Sequence, residues 1–174
     1  ILAALRAIAP QSPVSRNGPH PSERLTAIYD YEMPDGTLVA QKARWESSDG
    51  KRFAWRKPNT EGWSGGVTMA GMPLYGCGLL TAQNIGQPVY FGEGEKAMEA
   101  LNERGLLAVC AAGGSSQRDF GDSLKVLAGR HVRLWPDNDA AGRAYMEAVA
   151  LQLRGVAADM AFLTPPLALP VKGD

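Results

Sequence analysis

Glu93, Asp137 and Asp139 are the residues of this chain whose types and positions could do chemistry. Each stands just past a short apolar run. Val89-Tyr90-Phe91 leads into Gly92-Glu93-Gly94-Glu95-Lys96, and Val132-Arg133-Leu134-Trp135 leads into Pro136-Asp137-Asn138-Asp139. Both runs read as buried strands, and both motifs open into helical patterns. In a parallel sheet the loops after consecutive strands gather along one edge, where α/β proteins place their sites. A glutamate and two aspartates meeting there offer oxygen ligands to a hard divalent cation, Mg²⁺ foremost. Such a donor set points to a protein that handles phosphate groups.

Each of these residues also has a plainer reading. In extended backbone, side chains at i and i+2 point the same way, so Asp137 and Asp139 could reach one ion. Their mutual repulsion then needs a cation or hydrogen-bond donors to offset it. Pro-Asp-Asn-Asp equally suits a turn and helix cap. Paired aspartates occur in aspartate-nucleophile phosphatases and in glycosyltransferases too, but the Thr that such phosphatases usually carry after the second Asp is replaced here by Ala140 and Ala141. Glu93 sits between two glycines, which allow tight turning and close backbone approach. A first-turn glutamate favoured by the helix dipole is its alternative, and that role suits Glu95 better. Lys96 could pair with Glu93, touch a phosphate, or be solvated. Gly113-Gly114-Ser115-Ser116 could cradle a phosphate with backbone N–H groups or be a plain turn.

A basic stretch holds Lys42, Arg44, Lys51, Arg52, Arg56 and Lys57, interleaved with Trp45, Phe53 and Trp55. On a strand, Lys42, Arg44 and Glu46 line one face and Ala43 and Trp45 the other. Charges with stackable rings suit single-stranded nucleic acid; a half-buried hairpin with a solvated face and a tryptophan core is the alternative. Neither His20, in a Pro-rich segment, nor His131, at a strand start, supports a histidine site. Cys110 in an apolar run reads as core.

The elements that must position these groups follow from the pattern. Residues 2–8 read as a helix end, and residues 10–21, with four prolines, as a linker. Thr26–Tyr31, Leu38–Trp45 and Arg52–Arg56, separated by Pro34-Asp35-Gly36 and Ser47-Ser48-Asp49-Gly50, read as a small antiparallel meander. Residues 58–78 read as a Gly/Pro-rich loop and 79–85 as a short helix. From Pro88 strand and helix alternate: strand 88–91, helix 95–104, strand 107–111, a helix ending near 128, strand 131–135, helix 140–154 and strand 159–163. On helix 140–154, Ala141, Ala144, Tyr145, Ala148 and Val149 form the apolar stripe. Alternation of this kind makes an α/β fold with a mostly parallel sheet of about four strands, preceded by the antiparallel module. The expected divisions are 1–24, 25–87 and 88–174.

Composition bounds the rest. Of 174 residues, 45% are apolar and 21% charged, as in a globular domain, and no apolar run approaches the roughly 20 residues of a membrane span. Net charge is zero, so global charge gives no argument for nucleic acid; residues 1–87 carry nine basic and seven acidic side chains, and residues 88–174 nine and eleven. Two cysteines without a Cys-x-x-Cys pair argue against a zinc ribbon in this stretch and against a disulfide scaffold. A cytoplasmic location is the default. The start at Ile1 and the end at Asp174 suggest a piece of a longer protein.

Taken together, VYFGEGEKAMEAL (Val89–Leu101) resembles the glutamate motif of the Toprim domain shared by bacterial-type primases and topoisomerases, and RLWPDNDAAGR (Arg133–Arg143) is similar to its paired-aspartate motif. The resemblance covers residues 88–174, with Gly113-Gly114 where the family has a glycine-containing loop. Within the family it is closest in look to phage, plasmid and mobile-element primases or primase-helicases, which often carry a segment like Tyr29–Arg56 ahead of a Glu-Gly-Glu-Lys motif. The absence of a third aspartate after Asp139 favours primase over topoisomerase, and Ala97 stands where many relatives are acidic.

The resemblance implies a Toprim-type sheet and metal-dependent nucleotidyl transfer. That is primer synthesis on a single-stranded DNA template from nucleoside triphosphates, with Mg²⁺ or Mn²⁺ as cofactor and a helicase domain or partner outside this stretch. Glu93, Asp137 and Asp139 would be the catalytic and metal-binding groups. Asp174, in a segment resembling one where primases place a further metal-binding aspartate, would be a fourth ligand. Lys96, Gly113, Gly114, Lys42, Arg44, Arg52, Arg56, Trp45 and Trp55 would contact nucleotide or nucleic acid. A Toprim-type nuclease and a non-catalytic nucleic-acid-binding module are the competing readings.

Overall fold

The computed structural model describes residues 23–63 and 65–164. The expected helix end at 2–8, the linker at 10–21 and Asp174 lie outside the described residues.

Three strands form the antiparallel meander: β1 (Arg24–Glu32), β2 (Leu38–Ser47) and β3 (Gly50–Arg56). The turn at 34–36 closes because the Met33 N–H donates to Thr37 O, the Asp35 carboxylate accepts from the Thr37 N–H, and Gly36 takes φ +83°. β2 and β3 pair from Ser47 opposite Gly50 through Gln41 opposite Arg56, a two-residue hairpin whose Gly50 adopts φ +131°.

Four further strands form a parallel sheet in the order β5–β4–β6–β7: β4 (Pro88–Gly92), β5 (Leu107–Cys110), β6 (His131–Leu134) and β7 (Asp159–Phe162). Helix α1 (Glu95–Asn102) links β4 to β5, and helix α2 (Ala140–Leu153) links β6 to β7. Both stop where expected: Gly105 and Gly155 take left-handed φ of +78° and +74°, which only glycine adopts without strain. The fold class is therefore α/β, a four-stranded parallel sheet with helices preceded by a three-stranded antiparallel sheet. An antiparallel bridge from Tyr75 to Cys110 ties the loop after the meander to the β5 edge.

Two expected helices are replaced by turns. The segment after β5 forms 3-10 turns at Gly114–Ser116 and Ser123–Leu127, where a helix to 128 was expected. Left-handed Gly121 and Gly129 bracket the second turn, leaving too few residues to offset helix nucleation, although Leu124 and Leu127 still reach the core. Residues 79–85 likewise give way to two 3-10 turns, Cys77–Leu79 and Ala82–Asn84.

The main core packs Val89, Phe91, Val109, Val132 and Leu134 of the sheet against α2. The buried face of α2 is Gly142, Tyr145, Met146, Val149 and Leu153, rotated from the expected stripe so that Ala141 and Ala144 face solvent. Larger Met146 and Leu153 bury more apolar surface than those alanines could, which favours this orientation. Tyr145 packs on Phe91 and Phe120, and its hydroxyl has no hydrogen-bond partner among the described residues. A buried hydroxyl without a partner costs about 1–3 kcal/mol. Tyr145→Phe is therefore expected to keep or raise the melting temperature. A clear fall in thermal denaturation would contradict this account of the core.

Candidate active site at the parallel-sheet edge

β4 ends at Gly92 and Glu93 follows before α1 begins; β6 ends at Leu134 and the chain passes through Pro136 to Asp139 before α2 begins. Because β4 and β6 are hydrogen-bonded neighbours, these two exits lie side by side. Glu93 Oε1 accepts the Asp137 N–H at 3.1 Å, a bond spanning 44 residues. The expected juxtaposition of glutamate and aspartate motifs is present.

The two aspartates are not alternating residues of an extended strand, as expected. The Asp139 N–H bonds back to the Asp137 carbonyl at 2.7 Å, so the chain turns between them and i, i+2 alternation no longer applies. Asp139 is the N-cap of α2: extended at φ −144°, ψ 174°, its Oδ1 accepts the Gly142 N–H at 2.7 Å. The plainer cap reading thus holds for Asp139, and it leaves that carboxylate within electrostatic reach of Glu93. Burial pushes the half-buried Glu93 carboxyl above the ordinary range; the Asp137 N–H pulls it down, the Asp137 and Asp139 charges push it up, and a Ser115 hydrogen bond lowers it.

Gly142 makes this arrangement possible. A Cβ there would run into Glu93 Oε1 and stand 2.8 Å and 2.9 Å from the Asp137 carbonyl oxygen and amide nitrogen. The sequence motif contains Gly142, but its need for glycine is visible only once α2 and β4 are side by side. Ser115 belongs to the loop read as a phosphate cradle or plain turn, but its bond to Glu93 left no signal in the sequence. The glycine loop lies against the site, since a Cβ on Gly114 would sit 3.8 Å from the Glu93 carbonyl. Its amides are engaged internally, however: the Gly113 N–H donates to Gln117 Oε1 and the Gly114 N–H to Ala111 O.

The donor chemistry of Glu93, Asp137 and Asp139 fits a hard divalent cation, because the aspartate charges that help hold the Glu93 carboxyl above its ordinary range are what such an ion relieves. Their present spacing is open: among the described residues, no three His, Cys, Asp or Glu side chains are grouped closely enough to hold a metal.

The expected nucleic-acid contacts are dispersed. Lys96 is exposed at the start of α1, near enough to Glu46 to help lower its carboxyl, although an Arg44 hydrogen bond is the main cause. Arg44 pairs with Glu46 at 2.6 Å, Arg52 with Glu23 at 2.8 Å while lying 4.5 Å over Trp45, and Arg56 bonds Gln41 while lying 4.3 Å over Trp63. Trp45 is buried edge-on against Trp63, and Trp55 is half-buried against Tyr31, so neither ring offers a free face of its full area. Lys42 is buried. His131 pairs with Asp159, away from the site, and Cys110 is core.

No family model and no curated protein sequence matches this chain. Among solved structures it is similar to a DNA primase domain from Pseudomonas aeruginosa, at 19% identity and a TM-score of 0.59, over 83% of this chain and 44% of that one. It is also similar to the DnaG catalytic core, at 21% identity and a TM-score of 0.54, over 78% of this chain and 44% of that one. The class of fold is thus the one found in DnaG-type primase catalytic cores. The chain spans under half the length of either structure.

Two outcomes test this geometry. Without metal, Glu93 binds its proton more tightly folded than unfolded, so its ionisation lowers stability as pH rises through the ordinary glutamate range and on through its raised value. Glu93→Gln should therefore raise the melting temperature in EDTA at pH 7, with the difference vanishing at pH values below the ordinary glutamate range. An equal effect at both pH values would contradict the shift. Gly142→Ala should displace Glu93 and cost about 1–3 kcal/mol by overpacking. A stability equal to wild type in denaturant titration would contradict the close approach.

Proposed function

We propose that this chain is the catalytic part of a metal-dependent primer-synthesising enzyme, a DNA primase of the phage, plasmid or mobile-element kind that its motifs resemble. One observation carries the reading: the glutamate motif and the paired-aspartate motif meet through the Glu93–Asp137 hydrogen bond at the end of the parallel sheet. The likeness in fold to primase catalytic domains supports it.

Asp137 and Asp139 would hold Mg²⁺ or Mn²⁺, with Glu93 as ligand or general base and Asp174 as a further ligand. A bound divalent cation would supply charge stabilisation at the triphosphate and acidity at the attacking 3′ hydroxyl. The chain's own contribution is positional. Asp139 is held by its cap, Gly142 lets α2 approach, and Glu93, with its raised proton affinity, suits accepting a proton from the hydroxyl. Lys96 and the loop at Gly113-Gly114 would contact the nucleotide. Arg52 and Arg56, on the face of the meander opposite Lys42, would hold the single-stranded template once their intramolecular partners are exchanged for phosphates. A helicase domain or partner would act beyond this stretch. Among the described residues no helix is long and apolar enough to cross a membrane.

Primer synthesis on single-stranded DNA with Mg²⁺ or Mn²⁺ tests the reading. Asp139→Asn keeps a good cap while removing the charge. Both Asp139→Asn and Glu93→Gln should lower synthesis by about 100-fold or more. Products that persist in both variants would sink the mechanism, and metal-dependent strand cleavage without nucleotides, in place of synthesis, would assign the site to a nuclease.

A further inference from the structure

Lys42 projects from β2 toward the parallel-sheet unit and is 8% exposed; Glu95, the first residue of α1, is 5% exposed. Lys42 Nζ lies 2.5 Å from Glu95 Oε1, and the same oxygen accepts the Tyr31 hydroxyl at 2.5 Å. Nζ also donates to the Ala112 carbonyl at 3.4 Å. The rings of Phe53 and Trp55 close over the ammonium, with centroids 4.6 Å and 5.3 Å away. One charge therefore joins the meander to the start of α1 and to the segment leaving β5. Glu95 is two residues past Glu93, and Ala112 immediately precedes the Gly113-Gly114 loop that packs on the Glu93 carbonyl.

This placement is incompatible with a phosphate contact by Lys42. An ammonium capped by two rings cannot meet a phosphate without abandoning Glu95, and a buried carboxylate without its partner is strongly unfavourable. The network instead constrains two of the chain segments that border Glu93.

We propose that Lys42 is a positioning residue: through Glu95 and the Ala112 carbonyl it holds the α1 start and the glycine loop, and so keeps Glu93 in place. For the reaction it serves, the inference rests on the primase reading; the mechanical coupling stands on the geometry alone.

Hydrogen exchange and primer-synthesis kinetics on the 174-residue chain separate the two. Lys42→Met should speed amide exchange at residues 94–98 and 112–114 by about tenfold or more, leaving β4 and β6 amides unchanged. Its kcat should fall by about tenfold or more, with nucleotide KM and single-stranded DNA affinity within about twofold of wild type. Lys42→Arg should recover most of both losses. Unchanged exchange at those segments, unchanged kcat despite faster exchange, or weakened DNA binding with normal kcat would each overturn the proposal. Should Lys42→Met fail to fold, the double variant Lys42→Met/Glu95→Gln removes both charges together and is expected to fold with the same two segments exchanging faster. Wild-type protection there would overturn the proposal. A wild-type chain without synthesis would strike the primase reading, while the exchange arm still decides the coupling.

Discussion

The candidate site depends on how closely the first turn of α2 approaches the end of β4. That approach is set by steric exclusion at one position, Gly142, where any side chain would meet the Glu93 carboxylate and the Asp137 backbone. With no Cβ in the way, Glu93 can accept the Asp137 N–H, and the two strand exits become one locus. Everything else at this edge is arranged around that contact. The sheet register places β4 beside β6, the cap on Asp139 fixes where α2 starts, and the core beneath Tyr145 and Val149 holds the helix down.

Like charges are the cost of this proximity. Burying Glu93 near Asp137 and Asp139 raises its proton affinity, a strain that only partial hydrogen bonding offsets. The fold tolerates it because two of the three carboxylates also have local work. Glu93 receives a backbone amide and Asp139 receives another, so two donors that would otherwise lack partners at a loop and a helix end are satisfied.

Much of this was legible in the residues. The apolar runs 88–91 and 131–135 are short, bounded and followed by helical spacing, and they became β4 and β6 with only small changes at their ends. The meander was equally readable, since its turns carry Asp-Gly signals that act within four residues. The segment at 117–128 was not, because the decision between helix and turns there rests on left-handed glycines and on what Leu124 and Leu127 meet in the core. The pairing of Lys42 with Glu95 spans 53 residues and leaves no periodic trace. Strand alternation correctly put Lys42 and Arg44 on a face apart from Trp45, but it cannot say that the far side of that face is a second sheet unit.

The cap at Asp139 has a consequence for how relatives of this chain are read. A helix N-terminus in this position selects for Asp, Asn or Ser whether or not any reaction takes place, because the Gly142 amide needs an acceptor. An aspartate there is thus weak testimony that a homologue is a working enzyme, and a lineage that abandoned catalysis could keep it indefinitely. Glu93 fills no cap, and glutamine could accept the same Asp137 N–H without the charge that burial disfavours. Across descendants, position 93 is where a silenced copy would first betray itself.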